Sequence, residues 1–236
     1  MKHKIIRIDL NGVNCYLIKS DEGFVLLDTG GQLTMDKEYT NRQEELTRQL
    51  EEAGCVPGNL KAIILTHGDI DHTANAAYLR ERYQTIIAMH EKDIDLVENI
   101  TLDMMMQSFH YRSLILKIVF FLMKKPIQKL TEKTLRDFTK FTPDVTLQEG
   151  DDLSQYGIAA KVIHLPGHTA GSIGVLMESG ELIAGDIFAN RKKPGLAPNA
   201  NDFVQLKHSA KKLKSLHVTT IYPGHGEPFE ASDLKM

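Results

Sequence analysis

Seven side chains able to bind a metal ion stand in four short stretches of this sequence. The first, LTHGDIDHT, holds His67, Asp69, Asp71 and His72 within six residues. The others are LPGHTAGS with His168, IAGDIF with Asp186, and YPGHGEP with His225. Imidazole and carboxylate are borderline and hard donors suited to Zn, Fe or Mn, and a loop lets neighbouring side chains aim at two adjacent ions. Asp and His are also common turn residues, and Asp can cap a following helix, so the first stretch alone leaves a simpler reading open. Each later stretch sets a potential ligand beside a glycine after an apolar run, and glycine permits the tight geometry that turns a side chain toward a shared centre.

Such ligands need strands that end near one another. IIRIDL, NCYLIKS and FVLLDTGG read as strands broken by turn residues, and EYTNRQEELTRQLEEAG as an amphipathic helix stopping at Gly54. LKAIILTH is a buried strand before the first loop, followed by a helix in ANAAYLRERY, a strand in QTIIAMH and a helix in EKDIDLVENI. From Asp144 onward VTLQEG, AAKVIHL, SIGVLME and ELIAGDIF return to strands, and DFVQLKHSAKKLKSL makes a last helix before VTTIYPG. Strands and helices in both halves predict two sheets between helix layers, as one domain over residues 1–236.

In this order and spacing the four stretches, with NCYLI and LLDTG upstream, resemble the signature of the metallo-β-lactamase superfamily across nearly the whole chain. The resemblance implies an α+β fold, a four-layer αββα sandwich, and hydrolysis at a dinuclear metal centre. In the resembling proteins the first loop reads His-x-His-x-Asp-His. Here His67, Asp71 and His72 match, and Asp69 stands where the middle histidine would be. By that resemblance His67, Asp69 and His168 hold the first metal, Asp71, His72 and His225 the second, and Asp186 bridges them, with Asp71 essential to catalysis. Asp28, in LLDTG, matches a family loop beneath the metals and would orient a ligand as an acceptor, although an Asp ending a strand in a turn is an equal reading. The expected cofactor is two divalent ions, zinc first. The extra carboxylate at Asp69 opens Mn or Fe, or a weak first site.

Two cations would lower the pKa of a water and polarise the scissile group, so no separate nucleophile is required. The expected substrate is a small molecule with an ester, thioester or related acyl bond. Arg191, Lys192 and Lys193, shortly beyond Asp186, are candidates to receive its anionic part, against the alternative of a solvated basic loop. Phe188 and Asn190 stand where the family's lactonases carry a tyrosine, and no cysteine lies between His168 and His225 as in most zinc β-lactamases. Those two activities are disfavoured. Rival readings are an iron-dependent redox enzyme like the persulfide dioxygenases of the same fold, a nuclease, and a binding module with structural metals. His3, His90, His110, His164, His208 and His217 read as ordinary imidazoles, with His90 and His110 the nearest candidates to face the pocket.

Residues from about 101 to 141 break the alternation. They hold MMM at 104–106 and SLILKIVFFLMKK at 113–125, interrupted by Lys117 and shorter than the roughly 20 apolar residues of a membrane span. A helical hairpin burying its apolar face on the body is the plain expectation, and a lid, dimer contact or membrane-facing flap the alternatives. We expect Met104, Met105, Met106, Phe109, Phe120, Phe121 and Met123 to line the approach to the metals. A net charge of −3 and a pI near 6.4 give no global basic field, which disfavours nucleic acid. Cys15 and Cys55 lack a paired-ligand spacing and fit a reducing compartment. With no signal-peptide pattern at the N-terminus, a cytoplasmic location is expected.

Overall fold

The computed structural model describes residues 3–33 and 38–234. One sheet runs in chain order: β1 (Lys4–Asp9), β2 (Asn14–Ser20), β3 (Gly23–Leu27), β4 (Leu60–Ile64), β5 (Ile87–His90) and β6 (Val145–Leu147). The first three are antiparallel, because short turns join them. From β3 onward the pairing is parallel, because helical crossovers return the chain to the same edge. Those crossovers carry α1 (Gln43–Glu52), α2 (Ile70–Thr73), α3 (Ala76–Tyr83), α4 (Asp95–Glu98), α5 (Leu102–Gln107) and α6 (Leu114–Asp137). The second sheet contains β7 (Ala160–His164), β8 (Ile173–Met177), β9 (Glu181–Asn190), β10 (Gly195–Leu196), β11 (Thr220–Gly226) and β12 (Phe229–Glu230). Its order is β12-β11-β9-β8-β7, with β10 beside β9. A final helix, α7 (Phe203–Lys212), crosses between β10 and β11 and makes β9 and β11 parallel neighbours.

The period of two along each strand sorts side chains into three apolar layers. Cys15 and Leu17 of β2, Leu26 of β3 and Ile63 of β4 meet Leu46, Leu50 and Leu79 of the helices on one side. Their neighbours Tyr16, Ile18, Val25, Leu27 and Ile64 face the other sheet, where they meet Val162, Ile173, Val175 and Ile183. Beyond it, Leu182 and Ala184 of β9 cover Leu206 and Ala210 of α7. Helix, sheet, sheet and helix therefore stack as the expected αββα sandwich. Both cysteines are buried and free, ordinary small members of the first layer.

The insertion forms helices, but not the docked hairpin. The C-terminal part of α6 is anchored: Thr131 and Thr134 are buried, Thr134 Oγ1 lies 2.5 Å from Tyr39 Oη, and Phe138 and Phe141 beyond the helix enter the core. Residues before α6 are stapled to the chain after β10, with Tyr111 bridging Asn199 and Arg112 N donating to Pro198 O at 3.2 Å. The N-terminal half of α6 does the opposite of the expectation, leaving Leu114, Ile115, Phe121 and Leu122 more than two-thirds exposed. Among the described residues no helix is long and apolar enough to cross a membrane.

Candidate metal centre

The parallel strand β4 delivers its chain end to the edge where the sheets meet, and Thr66 and His67 follow at once. Asp69 then occupies the position before the single turn α2, but its side chain caps nothing. Its Oδ2 lies instead 3.1 Å from His168 Nε2. Asp71 and His72 share that turn. Asp186 lies inside β9, in the stretch read as a strand, and His225 lies inside β11, past the end of the strand expected in VTTIYPG. The parallel register slips there: Pro223 pairs with Gly185, then His225 with Ala189. Two glycines make the irregularity feasible. Gly185 has φ 52°, and a Cβ on Gly224 would stand 2.1 Å from Asp186 Oδ1 and 2.7 Å from His72 Cε1.

Four imidazoles converge on this edge, and each is tied at Nδ1. The carbonyl oxygens of Asn199 and Gly12 can only accept, so His168 and His225 donate to them through Nδ1–H. His72 Nδ1 donates to Asp28 Oδ2 at 2.9 Å. Thr66 gives its hydroxyl proton to the same Asp28 oxygen at 2.8 Å, so its Oγ1 accepts from His67 Nδ1 at 2.9 Å. The sequence left Asp28 between a turn residue and an orienting acceptor; it is buried at φ 59° and also accepts from Thr66 N.

With Nδ1 of each ring tied, it is Nε2 that faces inward, and on a neutral ring that nitrogen carries the lone pair. His72 Nε2 is 3.4 Å from Asp186 Oδ1 and 3.8 Å from Asp71 Oδ2, and His225 Nε2 is 3.1 Å from Asp186 Oδ2 and 3.5 Å from Asp71 Oδ2. His168 Nε2 lies 3.9 Å from Asp186 Oδ2 and His67 Nε2 3.9 Å from Asp69 Oδ2. The atoms of His67, Asp69 and His168 all fall within 4.8 Å of one another, as do those of Asp71, His72 and His225, with Asp186 between the groups. His67 Nε2, His72 Nε2 and Asp186 Oδ1 are buried without a hydrogen-bond partner. An orphaned polar atom is costly in a protein interior; three orphaned acceptors in one place fit cations.

Without metal, charge is divided unevenly among these rings. Burial, then repulsion from His72 and His168, lowers His67 to about 4, so it is neutral at pH 7. Burial opposes charging of His72 and His168, but Asp186, Asp28 and Asp71 around the first and Asp69 beside the second raise both to about 9. Burial would raise Asp71, yet His72 and His225 bring it to about 2. Asp186, against the same burial, is held well below the usual carboxylate range by His225, His72 and His168.

A cavity of about 250 Å³ opens on these groups, with Asp69, Asp71, Asp186 and His225 at its floor. The insertion supplies part of its wall through Met104, Met105 and Phe109, as expected, and through Tyr111, which the sequence did not single out. Met106, Phe120, Phe121 and Met123 do not line it, and the last two are exposed because that part of α6 leaves the body. Of the three basic candidates Arg191 lines the cavity, its guanidinium 3.3 Å from His225 Nδ1. Lys192 and Lys193 are exposed outside it, since the chain turns away toward β10. His90 and His110 stay out as well: His90 stacks on His164 at 4.2 Å, and His110 Nδ1 meets the Ala200 carbonyl.

Sequence reasoning passed over Asp93. Its buried carboxylate accepts from Gly68 N, Gly171 N and Thr169 Oγ1 at 2.6 to 2.9 Å, tying the His67 loop to the His168 loop. Its only local signal was an acidic residue soon after a strand, which reads equally well as the first turn of a helix.

A sequence profile described as the metallo-beta-lactamase superfamily matches residues 8–225. The chain belongs to that superfamily. Within it, the chain is 28% identical over 179 residues to hydroxyacylglutathione hydrolase GloC of Haemophilus influenzae, covering 75% of this chain and 66% of that protein, just under two thirds of its length. It is 26% identical over 229 residues to a protein of Methanocaldococcus jannaschii named as a probable metallo-hydrolase, covering 93% and 92%. Among solved structures, TTHA1623 in a di-iron-bound form matches with a TM-score of 0.63 at 24% identity, over 97% of this chain and 95% of that one. The last is a likeness of fold. Membership in the metallo-beta-lactamase superfamily implies divalent metal ions, and the orphaned acceptors are where this chain would take them.

Proposed function

We propose that this chain, working as one domain with its insertion at about residues 101–141, is a dinuclear metal-dependent hydrolase of a small-molecule acyl bond, a thioester or ester. The observation that carries the reading is the set of four Nδ1-tethered histidines whose Nε2 atoms face orphaned or acidic groups at the cavity floor. His67, Asp69 and His168 would hold one cation and Asp71, His72 and His225 the other, with Asp186 placed to serve either. When bound, two such cations supply Lewis acidity and lower the pKa of a water to near neutrality.

The chain's own groups do the rest. Arg191 receives an anionic end of the substrate, while Met104, Met105 and Phe109 take an apolar portion and exclude water beside the reacting carbonyl. Asp71, ionised and lining the cavity, would help hold a cation and accept a hydrogen bond from a water beside it. The acyl C–S or C–O bond then breaks, and the thiol or alcohol leaves with a proton as the carboxylic acid forms. Hydrolysis of a hydroxyacyl thioester by the Haemophilus influenzae relative supports the thioester choice. Zinc is the first expectation for the metal.

Asp69 favours one second reading. Its carboxylate makes three acidic ligand candidates instead of two, lowering net charge and adding an oxygen donor, which suits iron or manganese. The test is elemental analysis of protein purified without added metal, then a panel of esters, thioesters and phosphodiesters with parallel oxygen-uptake measurement. Chelator-sensitive thioester or ester cleavage with two bound ions is expected. Oxygen consumption by an iron-loaded protein that cleaves none of the panel would replace the hydrolase with a redox enzyme.

A further inference from the structure

Pro126 divides α6 into two environments. Past it Thr131 and Thr134 are buried against the body. Before it Leu114, Ile115, Ile118, Val119, Phe121 and Leu122 are exposed by 49% to 76%. A contiguous surface of that kind is unusual on a protein that meets only water. Steps of three or four residues keep a helix on one face, so Leu114, Ile118, Leu122, Lys125 and Lys129 form one continuous line, apolar first and basic after. Arg112, Lys117, Lys124, Lys125 and Lys129 carry positive charge, and no Asp or Glu occurs between Asp103 and Glu132. The whole chain is negative, at −3, so this cationic stretch is a local departure.

We infer that this face of α6 docks on an anionic phospholipid bilayer. The apolar turns enter one leaflet, and Lys124, Lys125 and Lys129 rest among the headgroup phosphates. The dimensions suit a surface anchor: Leu114 to Met123 spans about 15 Å at 1.5 Å per residue, roughly half the 30 Å hydrocarbon core. Apolar side chains flanked by lysines are the composition that lies at such an interface. A second copy of the chain fits less well, because pairing two of these helices sets cations against cations with no carboxylate on either helix stretch to compensate. The inference does not depend on the proposed reaction. The same helix does bound the cavity through Thr131 and Thr134, and outside the cavity its Phe120 stacks on the lining Phe109 at 5.4 Å.

Flotation of the full chain with vesicles tests this. The protein should rise with phosphatidylcholine vesicles containing phosphatidylglycerol, and remain behind with phosphatidylcholine alone or in high salt. Lys124→Gln with Lys125→Gln should lower the partition coefficient by roughly thirtyfold, about fivefold per lysine. Phe121→Asp with Leu122→Asp should abolish flotation while leaving the melting temperature and metal content unchanged, since both side chains face solvent. Failure to rise with the charged vesicles, or equal flotation on neutral ones, overturns the inference. So does a solution dimer that shows no flotation and that the aspartate pair separates, which would give the face to a second copy.

Discussion

Asp28 shows how much one carboxylate organises here. It accepts from Thr66 N, Thr66 Oγ1 and His72 Nδ1, and through the threonine it also sets the tautomer of His67. Asparagine keeps the shape but offers one acceptor oxygen, leaving an amide N–H facing another donor. Asp28→Asn should therefore weaken metal binding by about 10- to 100-fold, the usual effect of losing a partner behind a ligand. Competition against a chromophoric chelator measures it; an unchanged affinity would mean His72 is held by packing alone. Asp69 would act on metal choice rather than position. If its carboxylate is a ligand, Asp69→His should raise zinc occupancy relative to manganese when both are supplied in excess, following ligand softness, and metal analysis of the dialysed protein reads the ratio directly.

Elements rather than residues decide whether the ligands meet. The slip between β9 and β11 brings Asp186 and His225 face to face, and it relies on Gly224 lacking a side chain. Gly224→Ala must push Asp186 or His72 aside. We expect at least tenfold loss of activity and reduced metal content, with overpacking destabilising the fold by about 1–3 kcal/mol. Calorimetry and metal analysis on one sample separate the two effects, and wild-type metal content would show that the strands relax instead. The insertion would act on specificity if the proposed substrate occupies the cavity. Met104, Met105 and Phe109 form the apolar wall, and each methylene buried there contributes about 0.8 kcal/mol. Across a homologous acyl thioester series kcat/KM should climb roughly fourfold per carbon until the cavity is full. A flat profile would remove the wall from substrate selection.

Charge ties the molecule to pH as a whole. Metal binding needs neutral imidazoles, yet without metal His72 and His168 keep their protons up to about pH 9. Loading at pH 7 should then release protons, and apparent metal affinity should rise with pH toward 9. Titration calorimetry in buffers of different ionisation enthalpy counts those protons, and none released would contradict the tethered, charged histidines. The stability of chelated protein carries the matching sign. These two folded-state pKa values lie above the ordinary 6.5, so their stabilisation is fully present below about 6.5 and is lost as pH rises through about 9. His67, lowered to about 4, acts in the opposite direction between about 4 and 6.5. Melting temperatures of the chelated protein should consequently fall from about pH 6.5 to 9, and added metal should flatten that decline.

Much of this centre was legible in the sequence, because ligand chemistry is local. His67, Asp69, Asp71 and His72 lie within six residues, and glycines beside His168, Asp186 and His225 mark backbone that must approach closely. Alternating strands such as NCYLIKS declared two faces each, and so two sheets with helices outside. What stayed hidden depends on contacts between distant residues. Nothing near Asp93 says that it will accept from Gly68 and Gly171. The carbonyls of Gly12 and Asn199 that orient His225 and His168 are identical in kind to every other carbonyl of the chain. The register slip that brings Asp186 and His225 together was hidden too, since it is a property of the pair of parallel strands. The insertion is the sharpest case. Its apolar run ends before Pro126, and by composition those turns were the ones to bury; only tertiary structure decided that they face outward while Thr131 and Thr134 beyond Pro126 pack inward, because only the latter meet a surface to cover.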